Sequence, residues 1–136
     1  MSSRTNSSSV TRIGRFGEEY AVEFLARQGY QLLEKNVRTP YGEIDIITLQ
    51  TLLDSETNPT HIVVFFEVKT RRSDTFGPPE ISINKRKQDH MISSAQYYLQ
   101  NHPELPEECR IDVLAINLHK HDSTIQIKHF ENAIAI

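Results

Sequence analysis

The chain predicts a layered α/β domain: one central mixed β-sheet flanked by helices, in the order α-β-β-β-α-β-β. Two observations carry this. Apolar residues recur at helical spacing in two separated segments, while five other segments are dominated by β-branched and aromatic residues with strand-like patterning. Helices and strands interleaved along one chain require a sheet covered by helices. The 136 residues fit a single domain, large enough to bury roughly two-thirds of the surface its unfolded form exposes. No internal repeat divides it.

Each element follows from its own residues. Residues 1–11 are Ser-rich, with Ser2, Ser3, Ser7, Ser8 and Ser9, and lack an apolar period, so a flexible tail is expected there and the folded domain over 12–136. From Ile13 to Gln28 the residues Phe16, Tyr20, Ala21, Phe24 and Leu25 mark one helix, and Gly29 supplies its stop. Tyr30 to Val37 reads as a strand broken by Thr39-Pro40-Tyr41-Gly42, with Glu43 to about Leu49 as its hairpin partner. The polar stretch from about Gln50 to Thr60 reads as a long excursion that decorates an edge. His61 to Thr70 carries Ile62, Val63, Val64, Phe65 and Phe66 without interruption, which fits a central strand covered on both faces. A loop is expected over Thr75 to Pro79. Asn84 to Asn101 is then helical, with Met91, Ile92, Ala95, Tyr98 and Leu99 on one stripe. Arg110 to Leu118 and Ser123 to Phe130 give two further strands.

Composition narrows the function classes. With 38% hydrophobic and 24% charged residues the chain is globular, not disordered or fibrous. No apolar run approaches the ~20 residues that span a bilayer and no apolar signal core begins the chain, so a cytoplasmic location is expected. The single Cys109 makes no internal disulfide and no zinc motif. The six histidines have no HExxH spacing, and His119-x-His121 falls in an expected hairpin turn, where solvation is the ordinary reading. Phosphate loops and nucleophile elbows are missing from the sequence. A net charge of −3 argues against holding nucleic acid by bulk charge. Two local clusters, Lys69-Thr70-Arg71-Arg72 and Lys85-Arg86-Lys87, can still meet phosphates, with a solvated face as the alternative for each.

Chemistry concentrates in Gly42-Glu43-Ile44-Asp45 and Phe66-Glu67-Val68-Lys69. Side chains alternate along a strand, so Glu67 and Lys69 project together with Val68 turned away. If the strand of Asp45 lies beside that of Glu67, two carboxylates and an ammonium converge. Mg²⁺ takes hard oxygen ligands and needs only one or two protein carboxylates, so Asp45 and Glu67 form a sufficient pair, with the Val68 backbone carbonyl completing the protein's share. Mn²⁺ would serve as well. A metal there would act on phosphodiester hydrolysis, and Lys69 suits orienting a water or offsetting phosphate charge. A surface salt bridge between Glu67 and Lys69 remains the plain alternative.

The order of Gly17-Glu18-x-x-Ala21, Gly29-Tyr30, Asn36, Gly42-Glu43-Ile44-Asp45, Glu67-Val68-Lys69-x-Arg71, Phe76-Gly77, Lys85 and Arg110-x-Asp112 resembles the YraN-like family of small bacterial proteins. That family resembles the archaeal Holliday-junction resolvases and the PD-(D/E)xK restriction-endonuclease-like fold. The resemblance spans about Ile13 to Leu118. It implies metal ligation by Asp45 and Glu67, a catalytic lysine at Lys69, and a helix-borne acid at Glu18. Ile44-Asp45 stands where the fold's named motif has Pro-Asp, a change without effect on ligation, and the segment between Leu49 and His61 is longer than the family's turn.

Other residues carry weaker expectations. Glu19 lies about 100° around the helix from Glu18 and addresses a different surface. Glu43 reads as a surface carboxylate or as an aid to a second ion. Arg71, Arg72, Lys85 and Lys87 are the expected nucleic-acid contacts, and Asp112 is expected to be structural, paired with Arg110 or another base, with a catalytic role as the alternative. The expected activity is Mg²⁺- or Mn²⁺-dependent cleavage of DNA, on branched or junction substrates, by a homodimer. The rival is a catalytically silent DNA- or protein-binding accessory on the same scaffold.

Overall fold

The computed structural model describes residues 2–53, 58–73 and 81–136, with side chains from Arg15 onward apart from Ser73. The expected loop at Thr75 to Pro79 lies outside the described residues, as do residues 54–57 of the expected excursion. Seven elements follow in the predicted order: α1 (Ser2–Arg27), β1 (Gln31–Thr39), β2 (Gly42–Leu52), β3 (Thr60–Ser73), α2 (Lys85–Gln100), β4 (Cys109–His119) and β5 (Ile125–Ile134). Helix α1 begins inside the Ser-rich segment expected as a tail, well before the apolar period starts at Ile13. Gly29, at φ +92°, terminates it in the left-handed conformation that glycine adopts without strain. Asn84 caps α2 by accepting from the Lys87 N–H at 2.8 Å.

The strands lie side by side in sequence order, β1-β2-β3-β4-β5. All neighbours are antiparallel except β3 and β4, which are parallel and joined through α2. The expected excursion is mostly sheet: Gln50, Thr51 and Leu52 pair with Ile62, His61 and Thr60, so the hairpin extends past the predicted strand ends. Polar residues there do not break the ladder, because the strand tips are solvated and their backbone groups pair regardless of side chain.

Each face of the sheet is buried against one helix. Ala21 and Leu25 of α1 pack on Ile46, Ile62, Val64, Phe66, Leu114 and Ile116. Ala95 and Tyr98 of α2 pack on Ile44, Ile47, Val63, Phe65 and Ile111. Strand β3 thus alternates between two cores, which explains its unbroken apolar run. At Gly17 the helix α1 comes so close to β3 that an added Cβ would stand 2.9 Å from Thr70 Cβ and closer still to its hydroxyl. Glycine therefore sets the distance at which the next residue, Glu18, meets the sheet.

The topology gathers particular segments at one end of the sheet. The β1–β2 turn, the carboxyl ends of parallel β3 and β4, and the β4–β5 turn share that end. Lys69, Arg71, Arg72 and Lys120 lie on it, and the start of α2 joins it through Lys87. Glu104, Glu107 and Glu108 lie on the α2–β4 connector at the opposite end, where β4 begins. Lys69, Arg71, Arg72, Lys87 and Lys120 thus share that end with the acids Glu43, Glu67 and Asp122.

Candidate active site at the parting of two strands

The β2–β3 ladder runs from Leu52↔Thr60 to Ile46↔Phe66 and stops there. Beyond it, the Val68 N–H donates to Asp45 Oδ2 at 2.8 Å. A side-chain carboxylate thus occupies the seam where the next backbone partner would stand. The strand changes its facing at the same point: Ile44 belongs to the α2 core and Ile46 to the α1 core, although strict alternation would put both on one face. Opposite Asp45, the β1 residue Asn36 adopts φ +54° and is skipped between the pairs Lys35↔Ile46 and Val37↔Ile44.

Glu67 shares this seam. Burial raises the Asp45 carboxyl most, and the neighbouring Glu67 charge raises it further, against the lowering effect of the Val68 N–H, to about 7. A proton or a cation at the Asp45 carboxyl would relieve that crowding. Lys87 of α2 reaches Glu67 at 3.5 Å. Val68 packs toward the α1 core and Glu67 meets Lys87 of α2, while a cavity of about 590 Å³ at this end of β3 is lined by Glu67, Val68, Lys69, Thr70 and Arg71 with Ile81 and Ala115. The alternation expected for Glu67 and Lys69 is observed. The surface salt bridge between them is not, since the ion pair of Glu67 is with Lys87.

Glu18 approaches from α1. Its carboxyl is raised by burial, opposed by Lys35, raised again by Glu43, and hydrogen-bonded by Asn36. Its Oε1 is buried without a hydrogen-bond partner. It also raises Asp45 electrostatically, which brings the helix acid into the same field as the strand pair. Among the described residues no group of three or more acidic, histidine or cysteine side chains closes into a ready metal cage. The donor set that fits a hard cation is therefore Asp45 and Glu67, with the orphaned Glu18 oxygen suited to a water on that cation.

The remaining predicted residues separate. Arg71 lines the cavity of Lys69, whereas Arg72 points to the other face and lines a different cavity. Lys85 is strongly exposed and pairs with Asp89 at 2.9 Å, so the contact of α2 with the acidic pair is made by Lys87. Glu19 and Glu43 are exposed. Asp112 is buried and accepts from Arg110 Nε at 2.8 Å and Nη2 at 2.9 Å, from His129 Nε2 at 2.7 Å and from the Asn132 N–H at 2.8 Å. Arg110 Nη2 also donates to Tyr30 at 3.0 Å. This satisfied knot ties β4, β5 and the α1–β1 junction, the structural pairing expected for Asp112. His119 departs from expectation: it is buried, with Nε2 2.8 Å from Gln126 Oε1.

Two contributors went unassigned in the sequence. Asn36 stood in the motif set without a role, and its left-handed backbone, favoured by asparagine, was the available signal. Lys35 carried no signal, because its bearing on Glu18 arises only when α1 folds across β1.

The profile of the Uncharacterised protein family UPF0102 matches residues 17–116, which contain Glu18, Asp45, Glu67 and Lys69. The chain belongs to UPF0102. This is the YraN-like family that the motifs resemble. A UPF0102 protein of Thermodesulfovibrio yellowstonii is 43% identical over 122 residues, covering 89% of this chain and 94% of its own length. UPF0102 proteins of Desulforamulus reducens and Clostridium perfringens are 37% and 36% identical, covering 90% and 91% of this chain and 94% of theirs. UPF0102 membership thus extends over nearly the whole chain. Among the described residues no helix is long and apolar enough to cross a membrane.

Proposed function

We propose that this UPF0102 protein is a metal-dependent endonuclease of the PD-(D/E)xK type that hydrolyses phosphodiester bonds in DNA. The observation that carries the reading is the Asp45–Glu67 carboxyl pair at the opening of the β2–β3 ladder, with Lys69 beside it on β3. Asp45 and Glu67 would hold Mg²⁺ or Mn²⁺, whose chemistry is to activate a water and neutralise charge on the phosphate. The donor set fits such an ion, because a pair of crowded carboxyls and an orphaned buried carboxylate oxygen are the surroundings a cation relieves. Val68 fixes the rotamer of Asp45 through its N–H, and Lys87 holds Glu67 from α2. Lys69 stands on the same strand face as Glu67, where its ammonium orients a water or meets a phosphate oxygen. Glu18, on the helix held close by Gly17, would offer its unpartnered buried oxygen to a water in the seam.

The concentration of Lys69, Arg71, Arg72, Lys87 and Lys120 at one end supports a nucleic-acid partner despite the negative total. Branched or junction DNA is the proposed substrate, and a two-fold dimer is the simplest way to cut two symmetric strands; light scattering at several concentrations tests the dimer. A Mg²⁺-dependent assay on linear, nicked, flapped and four-way-junction DNA tests the activity. Cleavage by the parent and its loss in Asp45→Ala and Lys69→Ala is expected. Equal cleavage by all three proteins means a contaminant and removes the assignment. A second reading, an accessory that binds DNA or protein without cutting, is favoured by the finding that no cluster of three or more acidic, histidine or cysteine side chains forms among the described residues. DNA binding that survives Asp45→Ala, with no cleavage under either metal, would select it.

A further inference from the structure

A second cavity, of about 630 Å³, lies at the carboxyl ends of β3 and β4, on the α1 side of the sheet. Its walls combine an aromatic ring, two aliphatic side chains and two cations: Phe16, Leu118, Ile125, Arg72 and Lys120. Among the described residues, none that lines it is acidic. The carboxylate of the adjoining turn, Asp122, is turned aside, accepting from both the backbone N–H and the hydroxyl of Thr124. Among the described residues, Arg72 and Lys120 therefore face the cavity without a counter-charge from its walls. Phe16 remains 44% exposed although its ring stacks on Tyr20.

We propose that this cavity takes one nucleotide of a single-stranded segment next to the cleavage site, its base against Phe16 and its phosphate between Arg72 and Lys120. The inference rests on the endonuclease reading and extends it to the form of the substrate. Of the parts of a nucleic acid, an aromatic ring inside a concavity is met by the face of an unpaired base, since a duplex hides those faces in its stack. The cations select a polyanion, and guanidinium geometry suits phosphate oxygens. Lys69 and Arg72 are three residues apart on β3, about 10 Å along an extended strand. That is roughly three phosphate steps of a stacked nucleic-acid strand at about 3.4 Å each. A strand crossing Lys69 and passing over the end of β3 would thus reach the cavity within a few nucleotides. The protein would engage DNA with one unpaired arm, such as a flap or an opened junction.

The test is fluorescence anisotropy with a labelled oligo-dT of about twelve nucleotides, within the range of sites that stacking proteins cover, and a blunt duplex of equal length. Both are titrated in metal-free buffer with the parent, Phe16→Ala, Phe16→Leu and Lys120→Gln. Phe16→Ala is expected to weaken oligo-dT binding about 5- to 150-fold and to leave the duplex unchanged. Phe16→Leu keeps an apolar side chain on α1 and should show most of the same loss, which separates stacking from folding. Lys120→Gln should reduce the slope of log affinity against log salt by about 0.7. Unchanged oligo-dT affinity in all variants overturns the proposal, as does an equal loss for both probes. A changed sedimentation coefficient with unchanged DNA affinity would assign the cavity to a protein contact and overturns it too. Binding is measured apart from cleavage, so loss of the Phe16 effect with cleavage intact rejects this subsite alone. The Phe16 effect without cleavage by any form rejects the hydrolytic reading alone.

Discussion

The carboxyl of Asp45 makes a prediction that needs no substrate. Its ordinary value is 3.8, and in the folded protein it rises to about 7, first through burial and then through the charge of Glu67. Between those values the folded protein binds a proton that the unfolded chain does not, so stability falls as pH rises through this window. The gap corresponds to about 4 kcal/mol at full weight. Solvent on the open side of the seam screens part of it, leaving about 2–4 kcal/mol. Asp45→Asn removes the ionisation while keeping an oxygen for the Val68 N–H. At pH 8 this variant should therefore be more stable than the parent by about 2–4 kcal/mol, or about 7–14 °C in melting temperature for a chain of this length.

Thermal denaturation from pH 5.5 to 8.5, in EDTA and in Mg²⁺, gives the answer. The parent should lose stability across the range in EDTA, Asp45→Asn should lose much less, and Mg²⁺ should restore the parent at high pH without affecting the variant. Identical pH profiles of parent and variant would refute the electrostatic account of the seam. A variant less stable than the parent at pH 8 would mean that the carboxylate contributes more through bonding than its crowding costs.

Other outcomes follow from the same geometry. Gly17→Ala should destabilise the fold by about 1–3 kcal/mol in urea denaturation, because the new methyl overlaps Thr70, and Thr70→Ala in the same chain should recover part of the loss. Asp112→Ala should cost about 3–5 kcal/mol, since it leaves the Arg110 guanidinium buried without its bidentate partner. Burial works against the Asp112 charge, yet hydrogen bonds from His129 and Arg110 hold its carboxyl below the ordinary 3.8; the stability it contributes is complete above that value and should be lost as acid denaturation proceeds below it.

Fold and site were not equally legible in the sequence. The α-β-β-β-α-β-β order could be read because each face of the sheet is covered by one helix, so strand and helix periods both appear undiluted, as in Ile62 to Phe66 and in the stripe from Met91 to Leu99. The segment from Gln50 to Thr60 misled because polarity reports solvent exposure, and a solvated hairpin tip keeps its ladder. At the site, the common facing of Glu67 and Lys69 followed from alternation alone. The facing of Asp45 did not, since alternation fails between Ile44 and Ile46. Lys87 and Lys85 were equivalent in sequence, and only the phase of α2 over β3 selects Lys87 for Glu67.

That failure of alternation bears on how the site is made. A carboxylate placed on an intact ladder would project into one face of the sheet and be solvated or paired there. Asp45 instead lies in the plane of the sheet, its oxygen on the Val68 N–H, because the ladder ends one pair earlier at Ile46↔Phe66. From the seam it is reached from both faces: Glu18 approaches with α1, and Glu67, held by Lys87, with the α2 side. The two helices pack on opposite faces and could not otherwise bring side chains to one point. Opening the ladder forgoes backbone hydrogen bonds of about 1 kcal/mol each, and the left-handed backbone of Asn36 stands opposite the gap. A fold without a use for the seam would gain by closing it, so the open ladder beside the crowded carboxyls of Asp45 and Glu67 agrees with the centre proposed there.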